Sequence, residues 1–195
     1  LSRRVFLSFQ APAQRFAPPG RLRHPARKGM GMRTTIKTII MSAGLLALVS
    51  PAPAAETIIG RAAVIDGDTI EIHGERIRLD GIDAPESWQS CEGADGEPYP
   101  CGRRAADALD GFLAASRPTR CEIASRDRYG RHVAICARAD GVEANAWLVE
   151  QGHALDWPWY SKGRYKAQQD AAEAARRGMW QGDFVEPWDA RKLRR

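Results

Sequence analysis

The feature that most limits the fold of this chain is a series of short apolar runs, closed by tight-turn residues, within residues 57–138. Residues 58–65 predict a first strand that ends at Asp66-Gly67, and residues 69–72 alternate as a half-buried strand does. Asp-Gly between two such runs favours a hairpin, because glycine tolerates the positive φ of a tight turn. The first part of this region therefore predicts short paired strands.

Further strand signals follow, and helical spacing then takes over. The predicted elements are a strand at 77–79, a loop at 91–102, a helix at 103–115, a hairpin of 120–125 with 132–138, a helix at 142–151 and a last helix from a Ser161 cap to Arg177. Short strands followed by helices predict an α+β fold, in which helices pack on a small β-barrel.

A leader precedes this region. Residues 35–50 hold a short apolar run, with basic residues before it and Ala52-Pro53-Ala54 after it. This pattern is typical of a secretory signal peptide, and a retained hydrophobic anchor is the alternative. Residues 1–29 are rich in Arg and Pro and precede Met30, so we interpret them as an upstream extension or a disordered basic arm. The predicted domains are therefore 1–29 as this extension, 30–55 as signal peptide and 56–195 as the folded domain.

The leader also carries the excess of positive charge. The whole chain has 29 Lys and Arg, 24 Asp and Glu, and a formal charge of +5, but nine of the basic residues and none of the acidic ones precede Glu56. The predicted mature domain keeps 20 basic and 24 acidic residues, a charge of −4. Bulk basicity is therefore no argument for nucleic-acid binding, and a phosphate site has to be argued locally.

All four cysteines lie in the predicted mature domain. An even number after an export signal indicates disulfides, and zinc is the weaker alternative because no Cys-x-x-Cys pair or adjacent histidine is present. Three pairings are possible. We favour Cys91 with Cys101, which closes a loop, and Cys121 with Cys136, which lie about equally far from the Arg128-Tyr129 turn.

Two acidic segments suggest a site for a metal and a phosphate. They are residues 66–69 (Asp-Gly-Asp-Thr) and residues 78–86, and both place carboxylates at strand ends. Hard cations such as Ca²⁺ take carboxylate and carbonyl oxygens, and they neutralise crowded acids. Arg78 and Arg131 are suited to the charge that builds on a phosphate during hydrolysis. Each segment alone is typical of an ordinary turn, so the residues by themselves show only that such a site is possible.

The order of these motifs resembles the staphylococcal nuclease family. The similarity runs from about residue 57 to residue 188, through the segments 64–69, 78–86, 127–131, 145–152 and 177–180. It implies a five-stranded OB-type β-barrel with three helices, in agreement with the α+β prediction. A longer, Cys-bracketed loop within residues 83–103 departs from the family pattern.

The resemblance also implies roles for single residues. Asp68 and Asp83 correspond to the carboxylate ligands of Ca²⁺, and Ala84 to the residue that supplies a backbone carbonyl ligand. Glu86 corresponds to the general base. The two phosphate-binding arginines correspond to Arg78 and Arg131.

Nucleic-acid contacts are expected around these groups. Arg128 and Tyr129 lie in the predicted hairpin turn. Tyr160 and one of the Trp residues in 155–160 are expected to stack on a base, with aromatic packing of the last helix as the alternative. For the basic tail, residues 191–195, a frayed charged end is favoured over contact with phosphates.

The hypothesis is an exported, Ca²⁺-dependent nuclease, periplasmic or secreted and monomeric. By resemblance it cleaves DNA and RNA, prefers single strands and leaves 3′-phosphate ends. The main alternative is an OB-fold module that binds single-stranded nucleic acid without cleaving it. A third reading is a Ca²⁺-stabilised exported protein with a structural role.

Overall fold

The computed structural model describes residues 56–194. The upstream extension at 1–29 and the signal peptide at 30–55 lie outside the described residues, and both stay predictions. Within the described part of the chain, no helix is long and apolar enough to cross a membrane.

The β-structure is built from short strands, as the sequence predicts. In residues 56–194 they are β1 (Thr57–Gly60), β2 (Ala63–Asp66), β3 (Thr69–Ile72), β4 (Glu75–Leu79), β5 (Ile82–Asp83), β6 (Cys91–Glu92), β7 (Pro98–Tyr99), β8 (Thr119–Arg126), β9 (His132–Ala137) and β10 (Leu155–Asp156). Six of them form one sheet in the order β1-β8-β9-β4-β3-β2. β10 pairs with β5, and β6 pairs with β7, in two small ladders.

The six-stranded sheet has to curl. β1 and β2 are consecutive in the chain but lie at opposite edges of the sheet. A flat sheet of six strands would be about 24 Å wide. The three Cα steps from Gly60 to Ala63, the ends of the two strands, span at most about 11 Å. The edges therefore approach each other, as in a partly open barrel, and the parallel pair of β4 and β9 lies in its middle.

The helices pack around this curled sheet. They are α1 (Cys101–Ala114), α2 (Ala144–Glu150), α3 (Pro158–Ser161), α4 (Lys166–Ala174) and α5 (Pro187–Leu193), with a 3₁₀ turn at Gly178–Gln181. α1 turns Ala105, Leu109, Phe112 and Leu113 into the main core, and these positions share one face of a helix. The predicted α+β fold of OB type is confirmed.

Two element counts differ from the prediction. The sheet has six strands rather than five, because residues 58–65 form two strands that pair with different partners, β1 with β8 and β2 with β3. The described residues contain five α-helices rather than about three. The predicted loop at 91–102 contains the β6–β7 ladder, and α1 begins at Cys101 rather than at 103.

The helix predicted from a Ser161 cap to Arg177 is wrong at both ends, and it is not the last helix. Lys162 and Gly163 both adopt positive φ, so the chain leaves the helical conformation directly after Ser161. The Ser161 hydroxyl accepts a hydrogen bond from the Gly163 N–H within this turn and caps no helix N-terminus. The helix within the predicted range is α4, which begins at Lys166 and ends at Ala174.

Both predicted disulfides are present. Cys121 and Cys136 lie directly opposite each other on β8 and β9, with their Cα atoms 4.1 Å apart. Cys91 and Cys101 join β6 to the first residue of α1. The first bridge lies in the main core, and the second lies in a smaller cluster with Leu155 and Met179.

Candidate active site

One cavity of about 560 Å³ gathers most of the predicted site residues. Its walls come from the β2–β3 turn, β4 and the loop after it, the β8–β9 turn, the start of α3, and α5. The predicted residues in the lining are Asp68, Arg78, Ala84, Glu86, Arg128, Tyr129, Arg131 and Tyr160. Asp83 lies behind the wall, fully buried, and its carboxylate is held by two arginines of the lining.

The β2–β3 turn positions Asp68 at the cavity wall. A Cβ at the preceding Gly67 would lie 2.7 Å from the Ala84 Cβ and 2.9 Å from the Ala105 Cβ, so only glycine lets the turn pack this closely. The Asp68 carbonyl accepts the Leu79 N–H at 2.8 Å, and Asp68 Oδ2 accepts the Ala84 N–H at 3.3 Å. These contacts hold a buried carboxylate in a fixed place.

Arg78 joins the two predicted metal ligands. Its Nη1 donates to Asp68 Oδ1 and its Nη2 donates to Asp83 Oδ1, both at 2.9 Å. Burial opposes the charge of the guanidinium, but the two carboxylates outweigh burial and raise the pKa of Arg78. Because one planar group contacts both acids, Asp68 and Asp83 lie close together.

The loop that carries Glu86 crosses over the start of α1. At Gly102 a Cβ would lie 1.7 Å from the Glu86 carbonyl oxygen, so the helix and the loop touch through backbone. The buried Gln89 fixes the loop: its N–H donates to the Glu86 carbonyl at 2.8 Å, and its Oε1 accepts the Glu86 N–H at 3.3 Å. The Glu86 carboxylate itself stays about one-third exposed in the cavity.

The β8–β9 turn presents Arg131 at the cavity wall. Asp127 organises this turn, because its Oδ1 accepts the N–H groups of Tyr129 and Arg131 and its Oδ2 accepts Arg131 Nε at 2.8 Å. Burial opposes ionisation of Asp127, but the Arg131 side chain and the two N–H groups lower its pKa. Arg131 Nη1 also donates to Thr69 Oγ1 at 3.4 Å. The Arg128 guanidinium lies over the Tyr129 ring at 4.8 Å, at the exposed rim.

Aromatic rings also line the cavity. Tyr160 is 60% exposed and meets Trp157 edge-on, with ring centroids 4.5 Å apart. It is not buried beneath the following helix, so packing does not account for its position. Trp159 is more exposed still, but it does not line the cavity. Base stacking by Tyr160 stays a prediction.

Asp66, Trp157 and Arg191 also line the cavity, although none of them was among the site residues predicted from the sequence. Burial and the charge of Asp68 raise the pKa of Asp66 to about 6, which reflects how crowded the acids are. Trp157 lies against both Arg78 and Arg191, with each guanidinium 5.5 Å from its ring centroid.

The expected frayed tail is wrong for Arg191. Residues 187–193 form α5, and Arg191 donates to both oxygens of Asp83, at 3.0 and 2.7 Å, and to Glu86 Oε1 at 2.8 Å. The sequence did carry a local signal for this helix, because Pro187 is favoured in a first turn and Trp188 and Ala190 are apolar. No local signal gives the partner of Arg191.

The donor set suits a hard divalent cation. Asp68 and Asp83 converge, and Ala84 adds a backbone carbonyl next to them in the chain. Among residues 56–194, no group of three or more His, Cys, Asp or Glu is placed to hold a metal. In this structure the guanidinium groups of Arg78 and Arg191 are the counter-ions of these carboxylates. A cation therefore has to share the carboxylate oxygens with these arginines or displace them.

Comparison with known proteins identifies a matching protein family. A family model described as staphylococcal nuclease homologue matches residues 76–182, which include Arg78, Asp83, Glu86 and Arg131. Asp68 lies before the matched range and Arg191 lies after it.

Individual relatives are similar over most of this chain. The Rhizobium meliloti protein named succinoglycan biosynthesis protein ExoI is 51% identical over 157 residues, 80% of this chain and 81% of that protein. An uncharacterized endonuclease of Escherichia coli O157:H7 is 34% identical over 131 residues, 64% of this chain and 78% of that protein. The micrococcal nuclease of Shigella flexneri is 27% identical over 180 residues, 83% of this chain and 96% of that protein.

Proposed function

Because this chain belongs to the staphylococcal nuclease family and is a phosphodiester-hydrolysing nuclease, we propose that it is an exported, Ca²⁺-dependent enzyme for DNA and RNA. We further infer that it acts as a monomer, prefers single strands, and leaves 3′-phosphate ends. The observation that carries the proposal is a cavity whose lining brings Asp68 and Glu86 together with arginines from different parts of the chain, next to the buried Asp83.

Each charged group has a task that its position supports. Arg78 on β4 and Arg131 directly before the paired strand β9 both line the cavity, where their guanidinium groups would donate to the non-bridging oxygens of a phosphate. The partly exposed Glu86 carboxylate accepts a proton from a water molecule, whose oxygen attacks the phosphorus. The bond from phosphorus to the 5′-oxygen breaks, and that oxygen leaves and takes up a proton from solvent. The Asp68 and Asp83 carboxylates and the Ala84 carbonyl would hold Ca²⁺, which would supply positive charge next to the phosphate.

Two further observations support the finer parts of the proposal. Tyr129 and Tyr160 stand exposed at the rim of the cavity, where unpaired bases can stack on them, and this favours single strands. Two disulfides suit an oxidising compartment, which favours export to the periplasm or the medium.

The test is cleavage of denatured DNA and of RNA by the purified protein, with Ca²⁺ and then with excess chelator. We expect cleavage that the chelator abolishes, and a Glu86→Gln variant that is slower by about 100-fold or more with an unchanged melting temperature. Glu122→Gln is the matched control, because Glu122 is an exposed carboxylate whose partner among residues 56–194 is Arg120. Release of phosphate from the products by a 3′-phosphatase identifies the ends.

The alternatives predict different results. A binding module would bind single strands tightly and cleave nothing with any divalent ion. A Ca²⁺-stabilised structural protein would gain thermal stability with Ca²⁺ and show no turnover. Full activity in Glu86→Gln would remove the assigned role of that residue and leave the nuclease in place.

A second candidate role comes from the Rhizobium meliloti relative, whose name refers to succinoglycan biosynthesis. The 51% identity favours testing it. The arginines of the cavity suit a phosphodiester better than a glycosidic bond, whose hydrolysis usually relies on two carboxyl groups flanking the sugar. Incubation with succinoglycan separates the candidates, since shortening of that polymer without cleavage of nucleic acid would favour the second one.

A further inference from the structure

The C-terminal helix α5 delivers an arginine into the acidic pocket. Arg191 forms a bidentate pair with the fully buried Asp83, with Nη1 3.0 Å from Oδ1 and Nη2 2.7 Å from Oδ2. The same Nη1 donates to Glu86 Oε1 at 2.8 Å. Arg191 therefore engages a proposed metal ligand and the proposed base at the same time. Charge-assisted, bidentate pairs of this kind are among the strongest hydrogen bonds in proteins.

The helix that carries Arg191 is docked on the body of the protein. Trp188 stacks on Trp157 with ring centroids 6.2 Å apart, and Ala190 is buried. The segment before the helix is tied down as well. Gln89 donates to the Val185 carbonyl, next to the loop of Glu86. These contacts make the position of Arg191 a property of the fold.

Arg191 uses the oxygens that a cation needs. Both oxygens of Asp83 are bonded to guanidinium groups, and a hard cation binds such oxygens directly. Asp68, Asp83 and Glu86 with Arg78 alone carry two net negative charges, which one divalent cation cancels. Arg191 removes one of these charges before any cation arrives, so it lowers the attraction for the metal as well as blocking its ligand.

We propose that Arg191 is a latch that competes with the divalent cation for Asp83, so that its withdrawal both opens the metal site and frees Glu86. This inference rests on the proposed Ca²⁺ dependence. Until the cation displaces it, the Arg191 side chain of α5 stays bonded to Asp83 and Glu86.

The test is calorimetric titration of the purified protein with Ca²⁺ in the absence of nucleic acid. We expect Arg191→Gln to bind Ca²⁺ about tenfold more tightly than the unchanged protein, because it loses the competing charge and the bidentate contact. Lys192→Gln is the matched control: it removes the same charge from the same helix, but Lys192 pairs with Asp189 and not with the pocket. Its affinity should change by less than about twofold.

Arg191→Lys is the second variant, and it decides the question if Arg191→Gln does not fold. Lysine keeps the charge and loses the planar fork, so we expect an affinity between those of the unchanged protein and Arg191→Gln. Equal or weaker Ca²⁺ binding in the folded variants would overturn the latch. If the variants show this result but the unchanged protein cleaves DNA with Ca²⁺, the proposed function is retained and only the latch is rejected. Absence of both Ca²⁺ binding and cleavage in all variants would overturn the latch and the Ca²⁺ dependence together.

Discussion

Replacement of Gly102 by alanine tests how the fold positions the proposed base. A Cβ at this position would lie 1.7 Å from the Glu86 carbonyl oxygen and 2.5 Å from its carbon. Real Cβ contacts do not fall below 3.0 Å, so the backbone of α1 or of the Glu86 loop has to move by about 1.3 Å. No side chain can rotate away to relieve this overlap, because the neighbour is main chain.

Two effects of opposite sign compete in this variant. Alanine is the better helix former, and propensity alone would stabilise the protein by up to about 1 kcal/mol. Overpacking against backbone costs about 1–3 kcal/mol or more, so the net change should be a loss of stability. Displacement of a catalytic group by about 1 Å costs on the order of 100-fold in rate. We therefore expect Gly102→Ala to lower both the free energy of unfolding and kcat.

The same helix offers a matched control. Gly111 also lies in α1, but nothing stands within 4 Å of the position its Cβ would take. Gly111→Ala should raise the free energy of unfolding by about 0.5–1 kcal/mol and leave kcat unchanged. Urea denaturation followed by tryptophan fluorescence, and cleavage of denatured DNA, measure the two quantities. If Gly102→Ala is as stable and as active as Gly111→Ala, the close contact between α1 and the Glu86 loop does not exist.

Three other predictions follow from the described contacts. The double variant Cys121→Ser/Cys136→Ser opens a loop of 15 residues and should lose about 3 kcal/mol in urea denaturation, whereas an unchanged midpoint would argue against the bridge. Burial lowers the pKa of His153 below its ordinary value of 6.5. The unfolded chain therefore binds the proton more readily, and the stability of the protein falls as the pH drops below 6.5. His153→Gln should flatten this part of the curve of melting temperature against pH. Tyr160→Ala should weaken single-strand binding, measured by anisotropy without Ca²⁺, by about 1–3 kcal/mol. Trp159→Ala, outside the cavity, should have little effect, and equal losses in the two variants would refute a specific role for Tyr160.

The candidate site residues that could be named from the sequence lie in short local segments. Asp68 and Glu86 lie in short segments whose turn residues and charges are visible without a structure, and the cavity lining contains both. The disulfide pairings were accessible for the same reason, because Cys121 and Cys136 flank one predicted turn. Local patterns of this kind fix turns and strand ends.

The parts that the sequence did not predict depend on distant partners. Arg191 meets Asp83 across 108 positions of the chain, and a charged tail gives no indication of where it docks. The division of residues 58–65 into two strands also depends on distant pairing, since β1 joins β8 and β2 joins β3. Lys162 adopts positive φ although lysine rarely does, so the exact point of the helix break was not predictable, and Gly163 was its one local signal.

The short connection between β1 and β2 has a consequence for how the protein behaves at high concentration. Open edges of a β-sheet expose unpaired N–H and C=O groups, which can recruit strands from other molecules and start aggregation. Here the same two-residue link, Arg61-Ala62, draws both outer strands of the six-stranded sheet towards each other. At that end of the sheet, a strand from another molecule has little room to pair with either edge strand. Lengthening this link by a few flexible residues should let the edges separate and make the protein more prone to self-association.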